Sequence, residues 1–249
     1  MFRKDLLRGR VALVVGGSSE SGPAVCEVLA RYGADVALTY LRQEPKGKQV
    51  AEECRQQGVK ASVFHFDLLA MNQVINLVPK VVRDLGRLDI LVNLGGPPPV
   101  YADFRELDEA SYDLMMDGHV KGCFFLAREA ASHMEKHDGG TIVNVSATSS
   151  LKYSHSAFGL AKACVNEMTR FLAYTFAPRV RIVNLIPGMI DIEETDAELR
   201  KTRAEQSPLK SIVTPEELGL LVVGAASPVF KNVTGESILA DGGFWLLHR

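Results

Sequence analysis

The sequence predicts a single α/β domain with a doubly wound parallel sheet of about seven strands and helices on both faces. The chain has 249 residues, of which 47% are hydrophobic and 23% charged, and this is ordinary for one compact domain. Short apolar runs alternate along it with longer segments of helical period. We find no linker, low-complexity stretch or shift in composition, so residues 1–249 are predicted to form one domain.

The predicted strands are short apolar runs, each closed by glycine, asparagine or another polar or turn-forming residue. They are Val11–Val15, Asp35–Tyr40, Ala61–Phe66, Ile90–Asn93, Thr141–Val145, Arg181–Leu185 and Glu236–Ala240. The predicted helices between them are Pro23–Arg31, Gly47–Gln57, Met71–Leu85, Tyr112–His137 and Phe158–Ala177. Because strands alternate with helices, we expect parallel strands joined by helical crossovers.

The longest irregular segment, residues 189–214, carries an acidic run followed by basic residues. Charge runs usually form solvated faces, which favours a pair of surface helices. The alternative is a lid-like insert over the carboxyl ends of the strands, where open α/β sheets bind ligands.

The charge and cysteine content exclude several classes of protein. Lys+Arg number 28 and Asp+Glu 30, giving a net charge of −2, so no basic excess attracts nucleic acid or an anionic membrane. The first apolar run is too short for a signal peptide or a membrane span, and we expect a cytoplasmic protein. The cysteines, at positions 26, 54, 123 and 164, form no Cys-x-x-Cys pair, which argues against a zinc knuckle or a dithiol redox motif, and we expect no metal site.

A glycine-rich turn, Gly16 to Gly22, follows the first predicted strand and leads into a helix. Such a turn lets backbone N–H groups and the helix dipole hold a pyrophosphate, as in Rossmann-type folds. A partial glycine pattern is weak evidence alone. Its place in the first strand–helix unit gives it weight.

Further motifs follow in order along the chain. They are Asp67 after the third strand, Asn93-Leu94-Gly95-Gly96, Asn184, Pro187-Gly188 and Asp241-Gly242-Gly243. With the turn Gly16-x-x-x-Glu20-x-Gly22, they resemble the short-chain dehydrogenase/reductase family over nearly the whole chain. The resemblance implies a dinucleotide site in which the turn binds the pyrophosphate, Asp67 meets the adenine and Asn93 shapes the pocket.

The cofactor positions depart from the family pattern. Glu20 replaces the middle glycine, and a like charge about 4 Å from a diphosphate costs on the order of 4 kcal/mol at an effective dielectric of 20. Tyr40 stands where NAD-dependent relatives have a ribose-binding aspartate, and Ile192 where many have a threonine for the nicotinamide carboxamide. Arg42 could meet the 2′-phosphate of NADP, although an exposed loop arginine is the more ordinary interpretation.

We therefore predict that this chain binds no dinucleotide and keeps only the vestigial positions of the site. These positions are Gly16, Glu20, Gly22, Tyr40, Asp67, Asn93, Gly96 and Ile192.

The catalytic positions are also altered. The family uses Tyr-x-x-x-Lys on one helix, and the phenol passes the proton that accompanies hydride transfer. This chain has Phe158 in place of the tyrosine and keeps Lys162, and none of its six tyrosines has lysine four residues later. The family's asparagine corresponds to His119. Losing the positioned proton donor removes roughly 10²–10⁴ in rate.

The family's serine corresponds most naturally to Ala147, with Ser146, Thr148 and Ser149 as alternatives. We therefore expect no catalytic residues among the degenerate tetrad positions His119, Ala147, Phe158 and Lys162. One alternative is an active NADP-dependent carbonyl reductase in which His119 is the general acid beside Lys162, because imidazole titrates near neutrality. Tyr153 and His155, in the loop before the helix, are weaker replacements.

The apolar surface has not degenerated in the same way. On the helix after Phe158, one stripe is Ala161, Val165, Met168 and Leu172, and a second is Leu160, Cys164 and Phe171. The resemblance implies that this helix and the predicted helix Tyr112–His137 build a dimer interface, and that the C-terminal segment around Trp245 often builds another.

The cofactor and catalytic positions are altered, whereas the apolar surfaces that the family uses for association are retained. We therefore predict a non-catalytic subunit. Its expected partner is a catalytic paralogue in a hetero-oligomer, most simply a tetramer. NAD or NADP is expected on that partner, which would oxidise a secondary alcohol such as a hydroxyacyl-CoA. A non-enzymatic dinucleotide-fold sensor or regulator is the remaining alternative.

Overall fold

The computed structural model describes residues 3–151, 156–193 and 195–247 and contains a parallel sheet of seven strands. The strands are β1 (Val11–Val15), β2 (Asp35–Tyr40), β3 (Ala61–His65), β4 (Ile90–Asn93), β5 (Gly140–Val145), β6 (Val180–Pro187) and β7 (Ser237–Ala240). Across the sheet they lie in the order β3-β2-β1-β4-β5-β6-β7. The predicted doubly wound α/β sheet is confirmed, with strand ends shifted by no more than a few residues.

Helices cover both faces of this sheet. They are α1 (Gly22–Arg31), α2 (Glu44–Gln56), α3 (Met71–Leu85), α4 (Glu109–Met115), α5 (Cys123–Glu135), α6 (Ala157–Phe176), α7 (Ala197–Gln206) and α8 (Pro215–Ala226). The predicted single helix Tyr112–His137 is wrong in its interior. It begins earlier, capped by the Asp108 carboxylate, which accepts from Ser111 N at 2.7 Å, and the π-helical turn Met116–Gly122 separates α4 from α5.

The segment 189–214 also differs from the predicted pair of surface helices. Within its described residues it forms one helix, α7, which has no buried residue. The helix begins at the Asp196 cap, whose carboxylate accepts from Leu199 N at 2.9 Å.

The two faces of the sheet bury separate apolar cores. Along β1, Ala12 and Val14 point into a core with α1, α2 and α8, whereas Leu13 and Val15 point into a core with α3, α5 and α6. Because both faces are covered, the strands are apolar throughout instead of alternating.

The strand order reverses direction between β1 and β4, which lie side by side in the sheet. A crevice therefore opens outside their carboxyl ends, where ligands of such sheets bind. Gly16 follows β1 at this crevice with φ +79°, and a Cβ there would lie 2.8 Å from Gly95 Cα. Only glycine allows the two loops to approach this closely.

The cysteines are free thiols, and Cys26, Cys54 and Cys123 are buried. Burial raises the pKa of Cys54 to about 12 and that of Cys123 to about 11, so both are protonated at neutral pH. Over the described ranges, no three His, Cys, Asp or Glu side chains are grouped to hold a metal ion. In the same ranges, no helix has the length and hydropathy needed to cross a bilayer.

Candidate functional site

A mostly apolar cavity of about 680 Å³ opens at the carboxyl ends of β5, β6 and β7. Its lining comes from the loop after β4, the turn after β5, α6, α7 and the C-terminal segment. Representative residues of these elements are Tyr101, Ala147, Phe158, Leu199 and Trp245. Small-molecule sites typically have volumes of about 300–1,000 Å³, so the cavity is large enough for a ligand.

Phe158 occupies the first turn of α6, where the Ser156 hydroxyl caps the helix by accepting from Gly159 N at 3.2 Å. The Phe158 ring meets the His119 ring edge-on, with 5.2 Å between centroids, and the Tyr101 ring at 5.8 Å. The tetrad positions predicted from the sequence therefore lie close together around Phe158. Its ring has no hydroxyl group that could donate a proton.

Lys162 lies one helical turn further along α6 and is only 8% exposed. Its Nζ donates to Val145 O at 2.9 Å and lies 5.6 Å from the centroid of the Phe158 ring. Burial lowers the pKa of Lys162. The Lys162 side chain does not line the cavity, whereas Phe158 does.

His119 lies in the π-helical turn between α4 and α5 and is 4% exposed. Its Nε2 is 3.1 Å from Pro97 O, and because a carbonyl can only accept, Nε2 carries the proton. Burial, reinforced by the positive charge of Lys162, lowers the pKa of His119 to about 3. The imidazole is therefore neutral at physiological pH, and it does not line the cavity.

Gly96 makes room for this buried imidazole. A Cβ at Gly96 would collide with the His119 ring. The glycine that the sequence placed in the cofactor pocket therefore packs against a tetrad position. His119 Nδ1 has no hydrogen-bond partner among the described residues.

The candidates for the family's serine separate in the structure. Ala147, Thr148 and Ser149 line the cavity. Ser146 is buried, and its hydroxyl donates to Lys162 O at 3.0 Å. Ser146 therefore stabilises the contact between β5 and α6 and is unavailable to a ligand. Tyr153 and His155 lie outside the described residues.

Tyr101 was not singled out by the sequence, yet it is a phenol on the cavity wall. It lies in the loop after β4 and is 68% exposed. Partial burial raises the pKa of Tyr101. In a catalytic tyrosine of the family, by contrast, a neighbouring lysine lowers the pKa of the phenol. Its place beside Phe158 arises only in the folded chain, so no signal in the sequence indicated that Tyr101 would line the cavity.

The glycine turn keeps the compact form of a pyrophosphate-binding turn. A Cβ on Gly22 would collide with Gly16 O, so the first turn of α1 packs directly on the end of β1. The hydroxyl of Thr39 on β2 accepts from Gly16 N at 3.0 Å and fixes the turn from the side.

Glu20 lies on this turn and is exposed. Lys46 Nζ donates to Ser19 O at 3.3 Å, which brings a cation to the turn. Because Glu20 is exposed, its carboxylate is open to screening by solvent and salt. The side chain still replaces a glycine at which a diphosphate would approach the backbone.

The adenosine and nicotinamide ends carry further side chains that do not complement a dinucleotide. The Tyr40 ring packs on His65 with 5.5 Å between centroids, at the position where NAD-dependent relatives have the ribose-binding aspartate. Arg42 is exposed. Ile192 is partly buried, and its N–H donates to Ile190 O at 3.1 Å.

Asp67 and Asn93 are engaged within the protein. Asp67 Oδ1 accepts from Leu69 N at 2.9 Å. Asn93 Nδ2 donates to Asn144 Oδ1 at 2.8 Å, and Asn144 Nδ2 donates to Thr169 Oγ1 at 2.9 Å. These amides connect β4, β5 and α6 below the crevice.

The strand order and the glycine turn together define a Rossmann-type doubly wound fold. The family model for enoyl-(acyl carrier protein) reductase matches residues 19–245. The chain belongs to the short-chain dehydrogenase/reductase family.

Relatives of this family align over nearly the whole chain. An uncharacterized oxidoreductase of Thermotoga maritima is 32% identical over 248 residues, covering 95% of this chain and 97% of that protein. The 7alpha-hydroxysteroid dehydrogenase of Clostridium sardiniense is 31% identical, with 96% and 95% covered. A short-chain dehydrogenase/reductase from Serratia marcescens superposes with a TM-score of 0.89 at 29% identity, with 96% of this chain and 99% of that chain covered.

Proposed function

We propose that this chain is a non-catalytic subunit of a heteromeric short-chain dehydrogenase. The observation that carries the proposal is Phe158, which presents an apolar ring to the cavity at the position of the family's phenol. His119 and Lys162 are buried next to that ring and do not line the cavity, and His119 is neutral. Neither of these two groups is then placed to donate the proton that accompanies hydride transfer.

The cofactor positions support the same proposal. Glu20, Tyr40 and Ile192 replace groups that a dinucleotide needs at its diphosphate, ribose and carboxamide. We propose that this chain binds neither NAD nor NADP and that the cofactor of the complex resides on the partner subunit.

The proposed partner is a catalytic paralogue with the same fold. Leu160, Phe171 and Tyr174 on α6 are exposed, at 40%, 72% and 90%. Large apolar side chains grouped on one helix indicate an association surface. We propose a hetero-oligomer, most simply a tetramer, located in the cytoplasm.

The partner is proposed to oxidise a secondary alcohol, with a hydroxyacyl-CoA as the candidate substrate. The pattern of lost motifs resembles the inactive subunit of the two-subunit 2-(hydroxy(phenyl)methyl)-succinyl-CoA dehydrogenase of anaerobic toluene degradation. This substrate rests on that resemblance alone.

Native mass spectrometry of the protein purified from its own cells, with cofactor in the buffer, tests the proposal. We expect a mixed oligomer that carries fewer dinucleotides than chains, with the partner identified by mass. A homo-oligomer with one dinucleotide per chain would contradict the proposal. Such a complex without turnover would instead support a sensor, and one with turnover a reductase.

A double variant tests how deeply catalysis is lost. Phe158→Tyr combined with Glu20→Gly restores a phenol and a glycine, but Tyr40, Ala147 and Ile192 remain. We expect no NAD(P)H-dependent turnover of simple ketones by this variant. Appreciable activity would show that only two replacements matter, and Tyr101→Phe in that background would exclude a contribution from the second phenol.

A further inference from the structure

We infer that the cavity of this chain binds a small amphipathic carboxylate, with its apolar body against Phe158 and Tyr101 and its carboxylate on Arg203. The inference concerns binding only and does not depend on whether the chain acts alone or beside a partner.

The walls of the cavity fit an apolar body. Tyr101, Phe158, Leu199 and Trp245 contribute aromatic and aliphatic surface to a volume of about 680 Å³. Sites of this size and composition bury most of a small ligand, with a few polar groups fixing its orientation.

Arg203, on α7, supplies such a group. It is the one basic residue on the lining formed by the described part of the chain. Its guanidinium carbon lies 4.9 Å from the centroid of the Phe244 ring, so a cation–π contact holds it in place.

Within the part of the chain that the structure describes, the N–H donors of Arg203 make no hydrogen bond or ion pair. Among the described residues, Arg203 has no carboxylate partner, whereas Arg200, one turn away on α7, pairs with Asp191 at 2.6 Å. A guanidinium presents a planar fork of N–H donors that matches a carboxylate. A single cation on an apolar cavity suits a monoanion better than a phosphate dianion.

The acidic group on the same cavity is already engaged. Asp241 accepts from Gly243 N at 2.9 Å and from Trp245 N at 2.7 Å, so its carboxylate fixes the C-terminal turn Phe244–Leu247. Its remaining negative charge disfavours an anion beside it. We therefore place the ligand's carboxylate at Arg203 and away from Asp241.

Isothermal titration of the full-length chain with trans-cinnamate and with neutral cinnamamide tests this site. We expect cinnamate to bind at one per chain and cinnamamide at least tenfold more weakly. Arg203→Met should weaken cinnamate binding at least tenfold, because it keeps the apolar stem and removes the fork. Lys201→Met, which removes the same charge from an exposed position on the same helix, should leave binding unchanged.

Because α7 has no buried residue, both variants are expected to fold like the parent chain, as checked by circular dichroism. Equal cinnamate affinity in the Arg203→Met and Lys201→Met variants would overturn the inference. Equal affinity of the parent chain for cinnamate and cinnamamide, or an absence of binding at millimolar cinnamate, would overturn it as well. Tighter binding of phenylphosphate than of cinnamate would overturn the assignment to a carboxylate.

Discussion

Phe158 differs from the family's tyrosine by only a hydroxyl group, yet this difference changes the chemistry of the site. The ring packs on His119 and lies 5.6 Å from Lys162 Nζ, and it lines the cavity whereas neither of those groups does. Without a hydroxyl to activate, Lys162 donates to a backbone carbonyl instead. At this position the family's tyrosine passes a proton, whereas Phe158 forms part of the apolar wall of the cavity.

The buried state of His119 predicts an unusual pH dependence at the residue scale. Its folded pKa is about 3 and its unfolded value about 6.5, so between these two pH values the unfolded chain binds the proton and the folded chain does not. Stability therefore falls as the pH drops from 6.5 towards 3. Between pH 7 and pH 5 we expect His119 to remove about 2 kcal/mol from the free energy of unfolding, measured by urea denaturation at fixed protein concentration.

The His119→Asn variant is the control for this measurement, because it cannot bind the proton and should lack that part of the slope. In nuclear magnetic resonance, the His119 signal, assigned by its loss in the variant, should not move between pH 8 and pH 5. A midpoint near pH 6.5 would restore His119 as a candidate general acid.

At the scale of elements, the π-helical turn Met116–Gly122 determines where His119 lies. A π turn inserts one additional residue into a helix and shifts the register of the residues after it. Gly118 and Gly122 in this turn pack against Pro97 and Leu68, where a Cβ would collide. The turn therefore places His119 behind Phe158.

Helix α6 presents different faces to the core and to solvent. Ala161, Val165, Met168 and Leu172 are buried, as the first apolar stripe predicts. Of the second stripe, Leu160 and Phe171 are exposed, so in a single chain the predicted second contact is uncovered. The proposed partner would cover this face.

Phe171→Asp is the variant that tests this surface. Burying a phenylalanine contributes about 1.5–3 kcal/mol, so the exchange should raise the dissociation constant of the oligomer at least tenfold. Native mass spectrometry and light scattering across a dilution series measure this change.

Leu41→Asp is the control, because Leu41 is also exposed, at 48%, and follows β2, which lies four strands away from β6, the strand on which α6 packs. We expect it to leave the oligomer intact. Equal dissociation of both variants, or of neither, would place the association surface elsewhere.

At the scale of the whole molecule, Asp89 connects the strands at the end of the sheet opposite the cavity. It is 3% exposed, and its Oδ2 accepts from Val11 N at 2.8 Å. Arg87 Nη2 and Arg10 Nη1 donate to Oδ1 at 2.6 and 3.0 Å. Burial alone would raise the pKa of Asp89, but the hydrogen bonds from Arg87, Val11 and Arg10 outweigh it and lower the pKa.

Asp89→Asn should lower the free energy of unfolding at pH 7 by about 1–3 kcal/mol, because it weakens hydrogen bonds to a buried group. A carboxylate whose folded pKa is depressed stabilises the fold above its unfolded pKa and loses that contribution as the pH falls through the folded value. The difference between parent and variant should therefore shrink below about pH 4. Urea denaturation of parent and variant at pH 7 and below about pH 4 measures this difference in the free energy of unfolding.

Asp138→Asn provides the comparison, because Asp138 is 76% exposed and pairs with Arg87 at 3.2 Å. We expect it to change stability by no more than about 1 kcal/mol. An effect as large as that of Asp89→Asn would show that burial is not what makes Asp89 important.

The sequence by itself determined the strands, most of the helices, the family and the altered positions at Glu20, Tyr40, Phe158 and Ile192. These follow from local signals, because apolar periodicity, glycine turns and motif spacing are properties of neighbouring residues. The π-helical turn was missed because it keeps the apolar pattern of an ordinary helix.

Only the tertiary structure decided what the remaining side chains can do. In the folded chain His119 is buried near Lys162, and Lys162 Nζ donates to Val145 O. Tyr101 and Arg203 line the same cavity. Residues far apart in the chain meet only after packing, and desolvation depends on everything packed around a group. The charge state of His119 and the position of Arg203 on the cavity therefore could not be predicted from the residues next to them in the sequence.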